Sequence, residues 1–181
     1  MSHTPQRNGN LRGSILAAHP SLTDPNFRRA LIFIAEHSES EGAIGYVLNR
    51  PLAPPLEITH QNPPLSVPVY YGGPVQPEAL VLASLQWRTK QNVVVFHLQK
   101  FDNEPEIAQE WRDGLRVFAG YAGWSPNQLE HEIHKNSWLV LAPNHHLIKT
   151  QNHTTIWQDV VRQAGPLFAL LASAPDDPSL N

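Results

Sequence analysis

The segment 121–128 holds the residues whose types and spacing best suit the binding of a small ligand. It continues from a predicted strand through a glycine-spaced turn to a predicted helix start, and a helix N-terminus presents free amides and the positive end of its dipole to anions. The candidate ligand-binding residues are Gly120, Tyr121, Gly123, Trp124, Ser125, Asn127 and Gln128. The competing interpretation, which the sequence favours, is that the glycines allow close strand–helix packing and that both aromatic side chains belong to the core.

A second group of polar residues surrounds the first predicted hairpin. Its members are Ser21, Asp24, Glu36, His37, Asn49 and Arg50. Glu36 and His37 end one predicted strand, and neighbouring residues of a strand point to opposite faces, which weakens the idea of an acid–histidine dyad. Antiparallel pairing also places the two strand ends at opposite sides of the hairpin. We therefore predict a structural polar network rather than a catalytic one.

No complete catalytic or metal-binding motif is present. The histidines of segment 131–134 (HEIH) stand three residues apart, whereas zinc proteases need a spacing of four, so we interpret the segment as a solvated helix face with a Glu130–His134 pair. Ser125 is better explained as a helix cap than as a nucleophile, and Gly72-Gly73-Pro74 lacks the lysine of a phosphate-binding loop. The sequence predicts no catalytic residue, no metal and no cofactor, and it favours a protein that is not an enzyme.

Composition limits the classes of protein that remain possible. The 181 residues are 41% hydrophobic and 16% charged, which is typical of one folded domain. Cysteine is absent, so disulfides and thiolate zinc sites are excluded. The net charge is −3, and the only basic cluster is the pair Arg28–Arg29, which argues against direct nucleic-acid binding. No apolar run approaches the length of a membrane helix, so we expect no membrane partner and a cytoplasmic location.

Strand patterns dominate the chain. The run 30–36 (ALIFIAE) is apolar at nearly every position, as in a central strand covered on both faces. Further strands are predicted at 43–48, 67–71, 79–85, 93–98, 115–121 and 138–142. Helices are predicted from Asp102 or Asn103 to Gly114, from Ser125 with Gln128 completing a capping box, and over 154–164. Six prolines within residues 51–68 predict an extended surface loop. Short helices between hairpin-linked strands favour an α+β fold.

Several strings in the correct order resemble the YqgE/AlgH family. They are AHPSLTDPNF (18–27), EH (36–37), GAIGYVLNRPL (42–52), YGGPV (71–75), RVFAGYAGW (116–124), QLE (128–130) and NSWLV (136–140). The chain departs from the family pattern at His19, where methionine is usual, and after Val75, where an Arg-Gly pair is missing. The resemblance implies a single α+β domain with a bifurcated, mostly antiparallel sheet rolled into a pseudo-barrel with flanking helices. We expect the domain at 11–174, a disordered tail at 1–10 and a loose tail at 175–181.

The resemblance also bears on function. The family is labelled a transcriptional regulator through a link to alginate control in one branch, and it brings no catalytic residues with it. We expect a non-enzymatic regulatory or binding protein that acts through a protein partner or a small anionic ligand, with any transcriptional role indirect. One alternative is an unrecognised enzyme, or a binding protein for an anion or a nucleotide-like molecule, that uses segment 121–128. A second alternative is direct DNA binding, which the charge distribution opposes.

Overall fold

The strands of the protein assemble into one branched sheet. The structure is a computed structural model that describes residues 9–101, 105–149 and 152–173. Its strands are β1 Ile15–Ala18, β2 Leu31–Ser38, β3 Gly42–Val47, β4 Pro51–Ile58, β5 Leu65–Tyr71, β6 Val75–Arg88, β7 Val93–Lys100, β8 Leu115–Trp124 and β9 Trp138–Leu141. Its helices are α1 Gln128–His134, α2 His145–Lys149, α3 Ile156–Gln163 and α4 Pro166–Ala172, with a 3₁₀ turn at Gln109–Trp111.

The sheet branches at β8. The main path runs β4-β5-β8-β3-β2-β1-β9, and β6 leaves it by pairing with both β8 and β7. Only the β5–β8 pairing is parallel among the described strands; the others are antiparallel. Within the part of the chain that the structure describes, the sheet does not close on itself. The prediction of a single α+β domain with a bifurcated, mostly antiparallel sheet and flanking helices is confirmed.

The central strand β2 is covered on both faces, as the run 30–36 predicts. Its first five residues are buried. Leu31, Phe33 and Ala35 belong to one hydrophobic cluster, together with residues of α3. Ile32 and Ile34 belong to a second cluster, which Leu129 of α1 completes. Alternate side chains of a strand point to opposite faces, so two cores covered by different helices require an uninterrupted apolar strand.

The prediction of a loop over residues 51–68 is wrong. The segment forms most of an antiparallel pair, β4 and β5. Strand β4 lies at the edge of the sheet. A proline has no amide donor, but at an edge this removes no hydrogen bond between central strands. The register shifts between Leu52 and Leu56, so Pro54 and Pro55 fall in an irregularity of the pairing.

The predicted helix that ends at Gly114 is also wrong in the part that the structure describes, which begins at residue 105. Only the 3₁₀ turn is present there, and Ala108 before it is extended with ψ 142°. Ile107 is buried in a third hydrophobic cluster, and Trp111 stacks on His97 at 4.8 Å between ring centroids. These tertiary contacts outweigh the helical spacing of the apolar residues. Residues 102–104 lie outside the described residues, as do 1–8 and 174–181, so the tail predictions stay predictions there.

Candidate functional site

A cleft of about 670 Å³ opens beside the central strand. Segment 9–14, β2, β7, α1 and β9 with the residues after it supply its walls. It is lined by Gly9, Asn10, Leu11, Arg12, Gly13, Ser14, Phe33, Ala35, Asn92, Val93, Val94, Phe96, Ile133, Val140, Leu141, Ala142 and Pro143. The volume falls within the roughly 300–1,000 Å³ of small-molecule sites, and the mostly apolar lining is typical of them.

Segment 9–14, which we call the strap, covers one side of the cleft. Backbone hydrogen bonds fasten its end to β2, from Gly13 N to Ile34 O at 2.7 Å and from Ile34 N to Ser14 O at 3.0 Å. Farther up the strap, the Leu11 amide donates to Nδ1 of His37 at 3.2 Å. The Arg12 side chain between these points is exposed, and its guanidinium has no carboxylate partner among the described residues.

A second, smaller cavity lies across the strap. It measures about 320 Å³ and is lined by Asn10, Arg12, Glu36, His37, Ser38, Glu41, Gly42, Ala43 and Ile44. Asn10 and Arg12 line both cavities, so the strap is the wall between them. The cleft is mainly apolar, whereas the smaller cavity contains acidic side chains.

His37 connects the strap to α1. Its Nδ1 accepts the Leu11 amide, so the neutral ring carries its proton on Nε2, which donates to Oε1 of Glu130 at 2.6 Å. The predicted Glu130–His134 pair is therefore wrong, because the long-range partner takes the carboxylate. Both ring nitrogens of this buried histidine are engaged, which leaves neither to act as a base toward a ligand.

Three other residues of the predicted polar network, Asp24, Asn49 and Arg50, hydrogen-bond to backbone. Asn49 accepts the Leu31 amide and donates to Arg29 O, each at 2.9 Å. Arg50 donates to Arg28 O at 2.9 Å, and burial lowers its pKa. Asp24 Oδ1 accepts the Asn26 amide and Ser21 Oγ contacts His19 Nδ1, while Glu36 is exposed. The structure places Asn49 and Arg50 at the opposite end of the β2–β3 hairpin from Glu36 and His37.

Segment 121–128 packs closely against its neighbours. Gly120 has φ +71°. A Cβ atom there would lie 2.5 Å from Gly73 O, so the two backbones are too close for any residue larger than glycine. The Ser125 amide donates to Gln128 Oε1 at 3.0 Å, which is one half of the predicted capping box. Asn127 precedes α1 with φ +62°. None of the candidate residues from Gly120 to Gln128 lines either cavity. Ligand binding at this segment stays a prediction.

One carboxylate joins two buried tryptophans near the cleft. Glu132 Oε2 accepts the indole N–H of Trp124 at 2.9 Å and that of Trp138 at 2.8 Å. Gln128 Nε2 donates to its other oxygen at 3.0 Å. The interpretation of segment 131–134 as a solvated face is therefore wrong for Glu132, which fixes α1 to β8 and β9. The next residue, Ile133, lines the cleft.

The cleft residues have no shared motif in the sequence. Phe33 and Phe96 are predicted as ordinary strand residues, and Asn10 falls in the predicted disordered tail. The apolar runs 30–36 and 93–98 are the available signal, but they do not reveal which faces meet. Among residues 9–101, 105–149 and 152–173, no group of three or more His, Asp or Glu could hold a metal ion. No helix in these ranges is long and apolar enough to cross a membrane.

The comparison with known families decides the assignment. The AlgH-like family, DUF179, matches residues 15–169. The chain belongs to the AlgH-like family. A relative in Streptomyces avermitilis, named UPF0301 protein, is 35% identical over 187 residues, covering 94% of this chain and 95% of that one. Another UPF0301 protein, from Mycobacterium leprae, is 34% identical over 182 residues, covering 93% of this chain and 90% of the relative.

Solved structures of the AlgH-like family share the fold. A crystal structure from Corynebacterium diphtheriae aligns with a TM-score of 0.66 and 24% identity, covering 93% of this chain and 95% of that chain. The solution structure of the AlgH protein from Pseudomonas aeruginosa aligns with a TM-score of 0.58 and 23% identity, covering 97% and 98%. The family match and the sequence relatives confirm the resemblance to the YqgE/AlgH family.

Proposed function

We propose that this AlgH-like protein is a non-enzymatic binding protein whose cleft takes a small amphipathic anion, and that any effect on transcription is indirect. The observation that carries the proposal is the cleft itself, an apolar cavity of about 670 Å³ with one exposed arginine at its wall. A cytoplasmic location is the accompanying expectation from the sequence.

The apolar wall supplies the affinity. Phe33, Val94 and Phe96 line the cleft from β2 and β7, and Val140 lines it from β9. A ligand that buries about 200 Å² of apolar surface there gains about 5 kcal/mol, at roughly 25 cal/mol per Å². Part of this gain is offset by the loss of ligand freedom. Affinities in the micromolar range need further polar contacts, which the strap can provide.

Arg12 supplies the preference for an anion. Arg12 lies on the strap and lines both cavities, and its guanidinium has no carboxylate within ion-pair distance among the described residues. A guanidinium presents a planar fork of donors that suits a carboxylate, sulfonate or phosphate group. An apolar body in the cleft and an anionic group at the strap therefore define the ligand class.

The lining also supports binding rather than catalysis. It contains no Asp, Glu or His, so Ser14, its one hydroxyl side chain, has no general base within the lining. His37 lies in the smaller cavity and already uses both ring nitrogens. A site without a free base or an activated nucleophile lacks the groups of general-base and covalent catalysis, which favours binding over catalysis.

The test uses 8-anilinonaphthalene-1-sulfonate, an aromatic anion of the proposed class, excited where tryptophan does not absorb. Val94→Trp places an indole ring in the cleft, obstructs part of it and should weaken binding several-fold. Val95→Trp is the matched control, because Val95 neighbours Val94 in β7 and does not line the cleft. Near-ultraviolet circular dichroism of both variants confirms that each retains native packing. Equal affinity in the two variants would remove the cleft from consideration.

A second arm tests the charge. Arg12→Gln should weaken binding of the sulfonate probe several-fold and leave the uncharged analogue N-phenyl-1-naphthylamine unaffected. If both probes lose affinity equally, Arg12 acts through the strap and not through its charge. If Val94→Trp instead converts a dimer to a monomer in light scattering, the cleft holds a second copy of the chain and the small-ligand proposal fails.

A further inference from the structure

Arg116 of β8 is a partly buried cation without an acidic partner in the described part of the chain. Its Nη2 donates to Ile148 O at 3.1 Å, and its guanidinium carbon lies 5.6 Å from the centre of the Tyr70 ring. Arginine has five N–H donors, and the others have no protein acceptor among the described residues. The other guanidinium nitrogens are not fully buried, so an anion can reach them from solvent and pair with the charge.

His153 adds an unsatisfied donor or acceptor beside the same tyrosine. Its Nε2 and the Tyr70 hydroxyl are 3.3 Å apart, and the two rings meet edge-on at 5.3 Å between centroids. Its Nδ1 is buried and has no hydrogen-bond partner in the described structure. An unpaired buried polar atom is costly, about 1–3 kcal/mol, and each such atom requires an explanation.

The electrostatics of the group favour a bound anion. Burial lowers the pKa of Arg116 and that of His153, and the Arg116 charge lowers the His153 pKa further. The nearby carboxylate of Asp113 is taken by Lys149 at 3.2 Å, in an exposed pair. A bound anion beside Arg116 and His153 would favour the charged form of each group and so oppose the lowering of both pKa values.

We propose that Arg116, Tyr70 and His153 form a second binding site, which takes a small oxyanion, either phosphate or carboxylate. The free guanidinium N–H groups donate to the anion. When the Tyr70 hydroxyl donates to Nε2 of His153, the imidazole proton lies on Nδ1, which then donates to the anion as well. The site shares no residue with the lining of the cleft and does not depend on the function proposed for it.

The test compares inorganic phosphate with acetate at equal ionic strength, by calorimetric titration and by thermal unfolding. Phosphate stabilises most proteins by exclusion from their surface, so the difference between variants is the informative quantity. Arg116→Met keeps an unbranched apolar side chain and removes the charged group, and it should weaken binding of the preferred anion at least tenfold. Lys149→Met removes a neighbouring exposed charge and should bind like the wild type. The anion that binds identifies the chemical class.

Arg116→Met also separates a binding role from a structural one. In phosphate-free buffer it should unfold close to the wild-type temperature, because removal of a partly desolvated charge offsets the lost hydrogen bond to Ile148. A lower unfolding temperature there, with equal gains from anion in both proteins, would show that Arg116 only supports packing and would overturn the proposal. His153→Phe keeps the ring on Tyr70, and it should weaken anion binding several-fold. Both variants should bind the sulfonate probe with wild-type affinity. That result would show that their effect on anion binding does not arise at the cleft.

Discussion

Replacing Glu132 with alanine removes the acceptor that two buried indole N–H groups share. Trp124 is 6% exposed and Trp138 is 4% exposed, so the variant leaves two buried donors unpaired. Hydrogen bonds to a charged group contribute about 1.5–3 kcal/mol each. Glu132 itself is half-buried, and water can replace part of the loss, so we take the lower value for each bond. The expected cost is about 3 kcal/mol, a large share of a typical domain stability of roughly 5–15 kcal/mol.

Urea unfolding followed by tryptophan fluorescence measures this cost, since both indoles report on the same carboxylate. Glu132→Gln keeps an oxygen acceptor at the same position and should cost about 1 kcal/mol less than Glu132→Ala. His131→Ala is the control from the same helix, because His131 is exposed and should change stability by under about 0.5 kcal/mol. A Glu132→Ala variant as stable as His131→Ala would refute the view that this carboxylate fixes α1 beside the cleft.

Two further predictions concern the strap and the core. His37→Ala removes the acceptor of the Leu11 amide and should raise the rate of tryptic cleavage after Arg12 several-fold, measured by mass spectrometry, whereas His131→Ala should leave that rate unchanged. Burial raises the pKa of Tyr46 to about 12, so above about pH 10 the unfolded chain loses this proton before the folded one does. Wild-type stability relative to Tyr46→Phe should therefore fall by about 1 kcal/mol between about pH 9 and pH 11 in urea unfolding, and a constant difference would contradict it.

The sequence predicts the parts of the fold whose pattern is local. The run 30–36 has few polar residues because two cores cover it, and α3 is recognisable from apolar residues at helical spacing that stop before Gly165. Strand β4 and the first residues of β5 are missed because proline content predicts a loop unless the strand is known to lie at an edge, and edge position is a property of the whole sheet.

The candidate site cannot be predicted from local sequence patterns either, because it depends on how distant elements pack. Phe33, Val94, Ile133 and Val140 meet at the cleft from four different elements. The apolar pattern of each element shows that it is buried, but it cannot show where two buried faces leave a gap. The His37–Glu130 pair joins residues 93 positions apart, so helical spacing alone pointed to a neighbour on α1 instead. Long-range partners of polar groups are set by topology, which a single sequence expresses only through the resemblance to its family.

The two proposed sites stand at the ends of one continuous row of aromatic contacts. Phe96 of the cleft lies 6.1 Å from Tyr46, which lies 4.8 Å from Phe118, and Phe118 lies 5.9 Å from Tyr70 of the anion site. A substitution in the middle of this row would disturb the packing at both ends, and a loss of binding could not then be assigned to either site. Val94 and Arg116 lie outside the row. Substitutions at these two residues can therefore change the two binding affinities independently. Independent changes would show that the protein has two separate sites rather than one core that deforms as a whole.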